Sequence, residues 1–269
     1  MGEIIAFVSV KGGVGKTTMS LEVAANLVHK FKKKVLLVDA NFSAPNVGLY
    51  LNVISDYTLH NCLEDVPLTN SVYEAFGIDI VPASMDYERK VDITKLKKIL
   101  ANYKKRYDFI ILDSSPSYEE LKPVLNAADK VFIVTTPDNV TLRTSLKAAT
   151  MAKEEKCQVE GIIVNKIRSP RHEYNLEQIE EIAEIPVLAK IKDSKKMVIC
   201  LNNKKPISVE FPGNCISKEI ARFASCLCGE SEFPNKLNKK VMSLVAKEKV
   251  NRDVYRNKYY ESQISTPKA

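Results

Sequence analysis

The sequence predicts a doubly wound α/β domain, a mainly parallel sheet sandwiched between helices in three layers, α/β/α. Two observations carry this. Short apolar runs recur along the chain with helix-like segments between them, which is the alternation that βαβ units produce. Runs such as Phe109 to Leu112 are apolar at consecutive rather than alternate positions, so both faces of the strand must be covered, as they are between two helix layers.

Taken in order, the first strand runs from Ile4 to Val10 and enters a glycine-rich turn. A helix over Thr17 to Lys30 follows, placing Met19, Val23, Leu27 and Phe31 on one stripe. Further strands are expected at Val35 to Asp39, Ile78 to Pro82, Phe109 to Asp113, Lys130 to Thr135, Gly161 to Asn165 and Val187 to Ile191. Asp138, Asn139 and Thr141 give a polar start to a helix over Leu142 to Lys153. Pro234 marks the end of the compact unit, dividing the chain into a domain of residues 1–230 and a basic, helical extension of residues 231–269.

A chain of 269 residues, 45% hydrophobic and 27% charged, can bury a large core. None of its apolar runs approaches the ~20 residues needed to span a bilayer. Met1 leads straight into the first strand without a secretory leader, so a cytoplasmic location is expected. Six cysteines lack C-x-x-C spacing and read as buried thiols; Cys226 and Cys228 are too close together, and too isolated, for a metal or cluster site. The formal charge is +7, and residues 231–269 hold nine Lys/Arg against four acids. The rest of the chain is nearly balanced, which gives no general nucleic-acid signature.

The chemistry lies in Lys11-Gly12-Gly13-Val14-Gly15-Lys16-Thr17-Thr18, between the first strand and the first helix. Gly-x-x-x-x-Gly-Lys-Ser/Thr in that setting is a P-loop, because backbone N–H groups converge on phosphate at a helix N-terminus. Gly13 and Gly15 remove Cβ atoms where backbone must approach phosphate oxygens, Lys16 neutralises the β and γ phosphates, and Thr17 offers a hydroxyl to Mg²⁺. ATP or ADP with Mg²⁺ is the expected ligand.

The second lysine, Lys11, makes this loop resemble the deviant Walker A sequence of the MinD/ParA family of ATPases. Other matches follow in order over residues 1 to about 230: Val38-Asp39, Phe109 to Pro116, Thr135 to Asp138, Asn165-Lys166, Ile185-Pro186 and Ile191 to Asp193. The resemblance implies that Lys11 reaches the partner's ATP in a nucleotide-sandwiched homodimer. It further implies that Asp113 holds Mg²⁺ through a water, and that Asn165, with Lys166 and Asp193, lines the nucleotide site. An amide can pair with both the donor and the acceptor of an adenine edge. A helix-capping role for Asp113 and a turn-forming role for Asn165 are the structural alternatives.

One departure bears on catalysis. Where the family has Asp-x-Asp after its second strand, this chain has Asp39-Ala40-Asn41. Asn41 can hold a water but cannot take its proton, so slow hydrolysis is expected, with Lys11, Lys16, Asp39 and Asn41 as the catalytic set and Thr17, Asp39 and Asp113 around the metal. In the alternative, Asp39 takes the water-holding role and Asn41 is a loop residue.

The resemblance implies a positioning ATPase that acts with an activating or cargo protein; a ParA-type DNA-partition ATPase, or a module that holds ATP with little turnover, are the other readings. The extension offers Val241, Leu244, Val245 and Val250 among lysines for a membrane surface, giving a peripheral location. Its Tyr255, Tyr259, Tyr260, Arg252, Arg256 and Lys258 suit nucleic acid or packing back on the domain. Nucleic acid is the less favoured partner.

Overall fold

The computed structural model describes residues 2–87, 89–168, 171–229 and, within the extension, Arg256, Lys258 and Tyr259. Its strands are β1 (Glu3–Val8), β2 (Val35–Ala40), β3 (Tyr73–Ala75), β4 (Ile78–Val81), β5 (Phe109–Ser114), β6 (Lys130–Thr135), β7 (Gln158–Ile167) and β8 (Val187–Lys192). Its helices are α1 (Lys16–His29), α2 (Val47–Leu51), α3 (Leu59–Leu63), α4 (Leu96–Ala101), α5 (Tyr118–Ala127), α6 (Asn139–Glu154), α7 (Leu176–Ala183), α8 (Lys195–Asn202), α9 (Ile207–Glu210) and α10 (Cys215–Cys228).

The strands form one sheet in the order β3-β4-β2-β5-β1-β6-β7-β8, parallel throughout except for β3. From β1 the chain fills one side of the sheet as far as β5 and then crosses to β6 on the other, opening a crevice at the C-terminal ends of the central strands.

Alternate strand residues feed two cores. Ile5, Phe7, Leu37, Ile111 and Phe132 pack against Met19, Val23 and Leu27 of α1 and Ile220 and Phe223 of α10. Ala6, Val8, Leu36, Val38, Ile110 and Leu112 pack on the opposite face against Leu100, Leu121, Val124, Leu142 and Ala148 from α4, α5 and α6. The continuous apolar runs are therefore the signature of two-sided burial, as expected. At roughly 2 kcal/mol for each large apolar side chain taken from water, these layers dominate the favourable side of folding.

Beyond shifts of a few residues at strand and helix ends, such as β7 running Gln158–Ile167, two differences from the sequence expectation have a clear cause. β1 ends at Val8 rather than Val10, because Ser9 already turns: its Oγ accepts from Lys11 N at 3.2 Å and meets Ser145 Oγ at 2.9 Å. β3 was not anticipated. Its three residues pair antiparallel with β4 across Phe76 and Gly77, both at positive φ, which is the two-residue turn that suits hairpin twist.

Residues of the extension reach the domain. The Arg256 side chain is 1% exposed; its Nε donates to the Leu188 carbonyl at 2.7 Å and its Nη2 lies 2.6 Å from Glu219 Oε1. That carboxylate oxygen also accepts from Lys190 N at 3.2 Å. Tyr259 is buried with its ring centroid 6.2 Å from that of Phe132, beside Phe223. Of the residues weighed for nucleic acid or packing, Arg256 and Tyr259 pack on the domain and Lys258 is exposed. Val241, Leu244, Val245, Val250, Arg252, Tyr255 and Tyr260 lie outside the described residues.

Candidate functional site

The glycine loop leaves β1 and enters α1 with Gly13 at φ 76° and Gly15 at φ 99°, conformations that side chains with a Cβ rarely adopt. A Cβ on Gly12 or Gly13 would meet nothing within 4 Å, so the loop borders open space at these two positions. Its outward carbonyls are held by protein. Lys166 Nζ donates to Gly13 O at 2.7 Å, Asn165 Nδ2 to Val14 O at 2.8 Å, and Lys16 Nζ lies 3.4 Å from Lys11 O. With those carbonyls engaged, the loop N–H groups at the start of α1 remain for an anion. Val14 is buried, whereas Gly12, Gly13 and Lys11 are exposed and Thr17 and Thr18 half-buried.

Lys16 is buried, and desolvation lowers its pKa, an effect partly offset by the charge of Asp113. A lysine held this way is poised for negative charge. Asp39 and Asp113 are register partners at the ends of β2 and β5, and both are fully buried. Burial pushes Asp113 up to about 6 against the pull of Thr17, Lys16 and Ser20. Burial and the neighbouring Asp113 push Asp39 up to about 8, against three backbone N–H donors. Asp113 Oδ2 is buried with no hydrogen-bond partner, and Ser20 Oγ lies closer to Lys16 O (3.0 Å) than to Asp113 Oδ1 (3.4 Å). An orphaned carboxylate oxygen beside a threonine hydroxyl and a lysine is an arrangement that suits a hard divalent cation.

Asp39 does something else. Its Oδ1 accepts from Asn41 N at 3.2 Å and its Oδ2 from Asn46 N and Val47 N, both at 2.9 Å, so its carboxylate organises the loop after β2. Asn41 donates through Nδ2 to Ala44 O and keeps a buried Oδ1 without a partner. The two orphaned oxygens, on Asn41 and Asp113, belong to neighbouring strand ends.

Asn165 lies directly over Gly15, and its Oδ1 accepts from Lys166 N at 2.9 Å. The carboxylate of Asp193 is ion-paired with Arg168, Nε to Oδ2 at 2.6 Å. A cavity of about 550 Å³ joins Gly12, Lys16, Asn41, Asn165 and Asp193 with Tyr50 and Met197, which sequence reasoning had not singled out. That volume lies within the roughly 300–1,000 Å³ range of small-molecule sites. Among the described residues there is no three-residue His/Cys/Asp/Glu cluster, and no helix is long and apolar enough to cross a membrane.

A parallel, doubly wound sheet whose first strand runs through such a loop into a helix is the P-loop NTPase fold. The chain belongs to the MinD/ParA family of P-loop ATPases, and its residues 2–155 match the AAA domain family. It is 27% identical over 253 residues to an uncharacterized ATP-binding protein of Methanocaldococcus jannaschii, covering 92% of this chain and 95% of that one. It is 26% identical to the septum site-determining protein MinD of Synechocystis, covering 78% of this chain and 83% of MinD. Among solved structures, MinD of Pyrococcus horikoshii complexed with Mg-ADP superposes with a TM-score of 0.78 at 25% identity, covering 92% of this chain and 100% of that one.

Proposed function

We propose that the chain binds ATP or ADP with Mg²⁺, hydrolyses ATP slowly, and switches between a monomer and an ATP-sandwiched homodimer that positions itself or a cargo. The observation that carries this reading is the buried Lys16 set between the glycine loop and Asp113, whose Oδ2 has no partner. The similar M. jannaschii protein is named as ATP-binding, and the P. horikoshii MinD structure holds Mg-ADP, which supports the choice of ligand.

In this reading the N–H groups of residues 12–18 cradle the phosphates, and Lys16 neutralises them. Thr17 and Asp113 would hold the cation, which when bound draws charge off the phosphate oxygens. Asp39 shapes the loop that presents Asn41, and the free Oδ1 of Asn41 orients a water without accepting its proton. Exposed Lys11 extends to a partner's nucleotide. Asn165 and Lys166 brace the loop and, with Asp193, border the base side of the cavity. Residues 1–230 form the ATPase domain and residues 231–269 an extension, with the docked Arg256 and Tyr259 favouring packing for its distal part. An activating or cargo protein and a cytoplasmic, peripherally membrane-associated location complete the proposal.

Sedimentation with ATP or ADP, with and without liposomes and DNA, tests it. The expected result is a dimer in ATP, a monomer in ADP, and loss of nucleotide binding in Lys16→Ala. A chain that stays monomeric when saturated with ATP would sink the switch.

A further inference from the structure

Five backbone N–H groups between Asn41 and Val47 are accepted by two carboxylates. Asp39 takes those of Asn41, Asn46 and Val47 from within β2. Glu120 Oε2 takes the other two, from Phe42 N at 3.0 Å and Ser43 N at 3.3 Å. Glu120 lies in the first turn of α5, the helix that starts shortly after Asp113. An acid there is already favoured by the helix dipole, yet this one reaches across to a different loop. Phe42 is buried and its ring sits edge-on to His60 at 5.4 Å, so the residue next to Asn41 is fixed on both its backbone and its side chain.

The two carboxylates are not equivalent. Asp39 fixes the loop to its own strand, whereas Glu120 fixes it to the segment downstream of β5. We propose that Glu120 is a positioning residue which, through the N–H groups of Phe42 and Ser43, keeps the Asn41 loop in register with the Asp113 strand end. Its catalytic part rests on the reading above that ATP is hydrolysed at this cavity. Hydrogen bonds to a charged acceptor are worth more than neutral ones, so a single shared oxygen can hold both amides. Glutamine at this position keeps an acceptor oxygen, and alanine keeps none.

The test compares the parent with Glu120→Ala and Glu120→Gln in two measurements. In amide hydrogen exchange followed by NMR, Glu120→Ala is expected to speed Phe42 and Ser43 by ~10-fold or more, with Glu120→Gln closer to the parent and Ile220 in α10 unchanged. In steady-state turnover, Glu120→Ala is expected to lower kcat by ~10-fold with KM for ATP moving less than about twofold, and Glu120→Gln to recover most of the loss. Unchanged Phe42 and Ser43 exchange in Glu120→Ala overturns the proposal whatever the turnover. So does a loss of kcat that Glu120→Gln shares in full, or one matched by an equal rise in KM. A parent that does not hydrolyse ATP defeats the functional reading instead, and the exchange rates then decide the Glu120 link alone.

Discussion

A Cβ placed on Gly15 would stand 2.2 Å from Asn165 Nδ2, the same amide nitrogen that donates to Val14 O at 2.8 Å. The side chain near the end of β7 thus occupies the space left by the missing Cβ, and the glycine loop and this end of β7 are packed as one piece.

Gly15→Ala is therefore expected to abolish tight nucleotide binding, since it displaces Asn165 and also forces alanine to the left-handed φ of 99°. The folded chain should survive with a loss of about 1–3 kcal/mol in urea unfolding. Pairing it with Asn165→Ala relieves the clash but not the backbone strain, so fluorescent-nucleotide titration should show only partial recovery.

Asn41→Asp restores a carboxylate where Asn41 Oδ1 is buried and unpartnered. Turnover is expected to rise by ~10-fold or more, short of the roughly 10²–10⁴-fold that a fully engaged general base contributes. Single-turnover hydrolysis checks this, and a rate equal to or below the parent's would count against Asn41 as the water-facing residue.

The central strands and the glycine loop leading into α1 were legible because each rests on a local signal: two-sided apolar runs, glycines at a strand end, a helix start. Asn165 and Lys166 were legible as site residues, but their grip on Val14 and Gly13 was not, since that contact spans about 150 residues of sequence. Glu120 drew no reading from the sequence, since nothing local announces that it serves the loop at Phe42. β3 escaped because three residues are too few to show a period, and its only mark is the Phe76-Gly77 turn.

Glu22, on α1, is buried and accepts from Ile207 N at 2.6 Å, Ser208 N at 3.2 Å and Ser208 Oγ at 2.9 Å. Burial outweighs those donors and pushes its pKa up to about 7 from 4.5. The folded state then holds this proton more tightly than the unfolded chain. Its contribution is fully present below about pH 4.5 and is lost as pH rises to about 7, on the order of 3 kcal/mol in all. Urea midpoints of parent and Glu22→Gln measured from pH 5 to 8 should therefore diverge with pH, the parent losing stability relative to the variant.

Removing Arg256 takes from the buried Glu219 its ion-pair partner at 2.6 Å, while Arg222 at 3.6 Å and Lys190 N stay among its contacts. Arg256→Ala is expected to cost about 2–4 kcal/mol, close to the cost of breaking other buried ion pairs, and to lower the thermal midpoint by several degrees. Arg256→Ala with Glu219→Gln should recover part of that loss in calorimetry, because the buried carboxylate charge that Arg256 balanced is then gone as well.

The docking of Arg256 also has a meaning for how the molecule keeps to itself. Among the described residues β8 ends the sheet, and Leu188 O and Lys190 N are main-chain groups that meet a guanidinium and a carboxylate rather than another strand. The docked Arg256 acts as a seam at that margin, so a chain clipped before it would offer Leu188 O to its neighbours, and clumping during refolding would be the first sign.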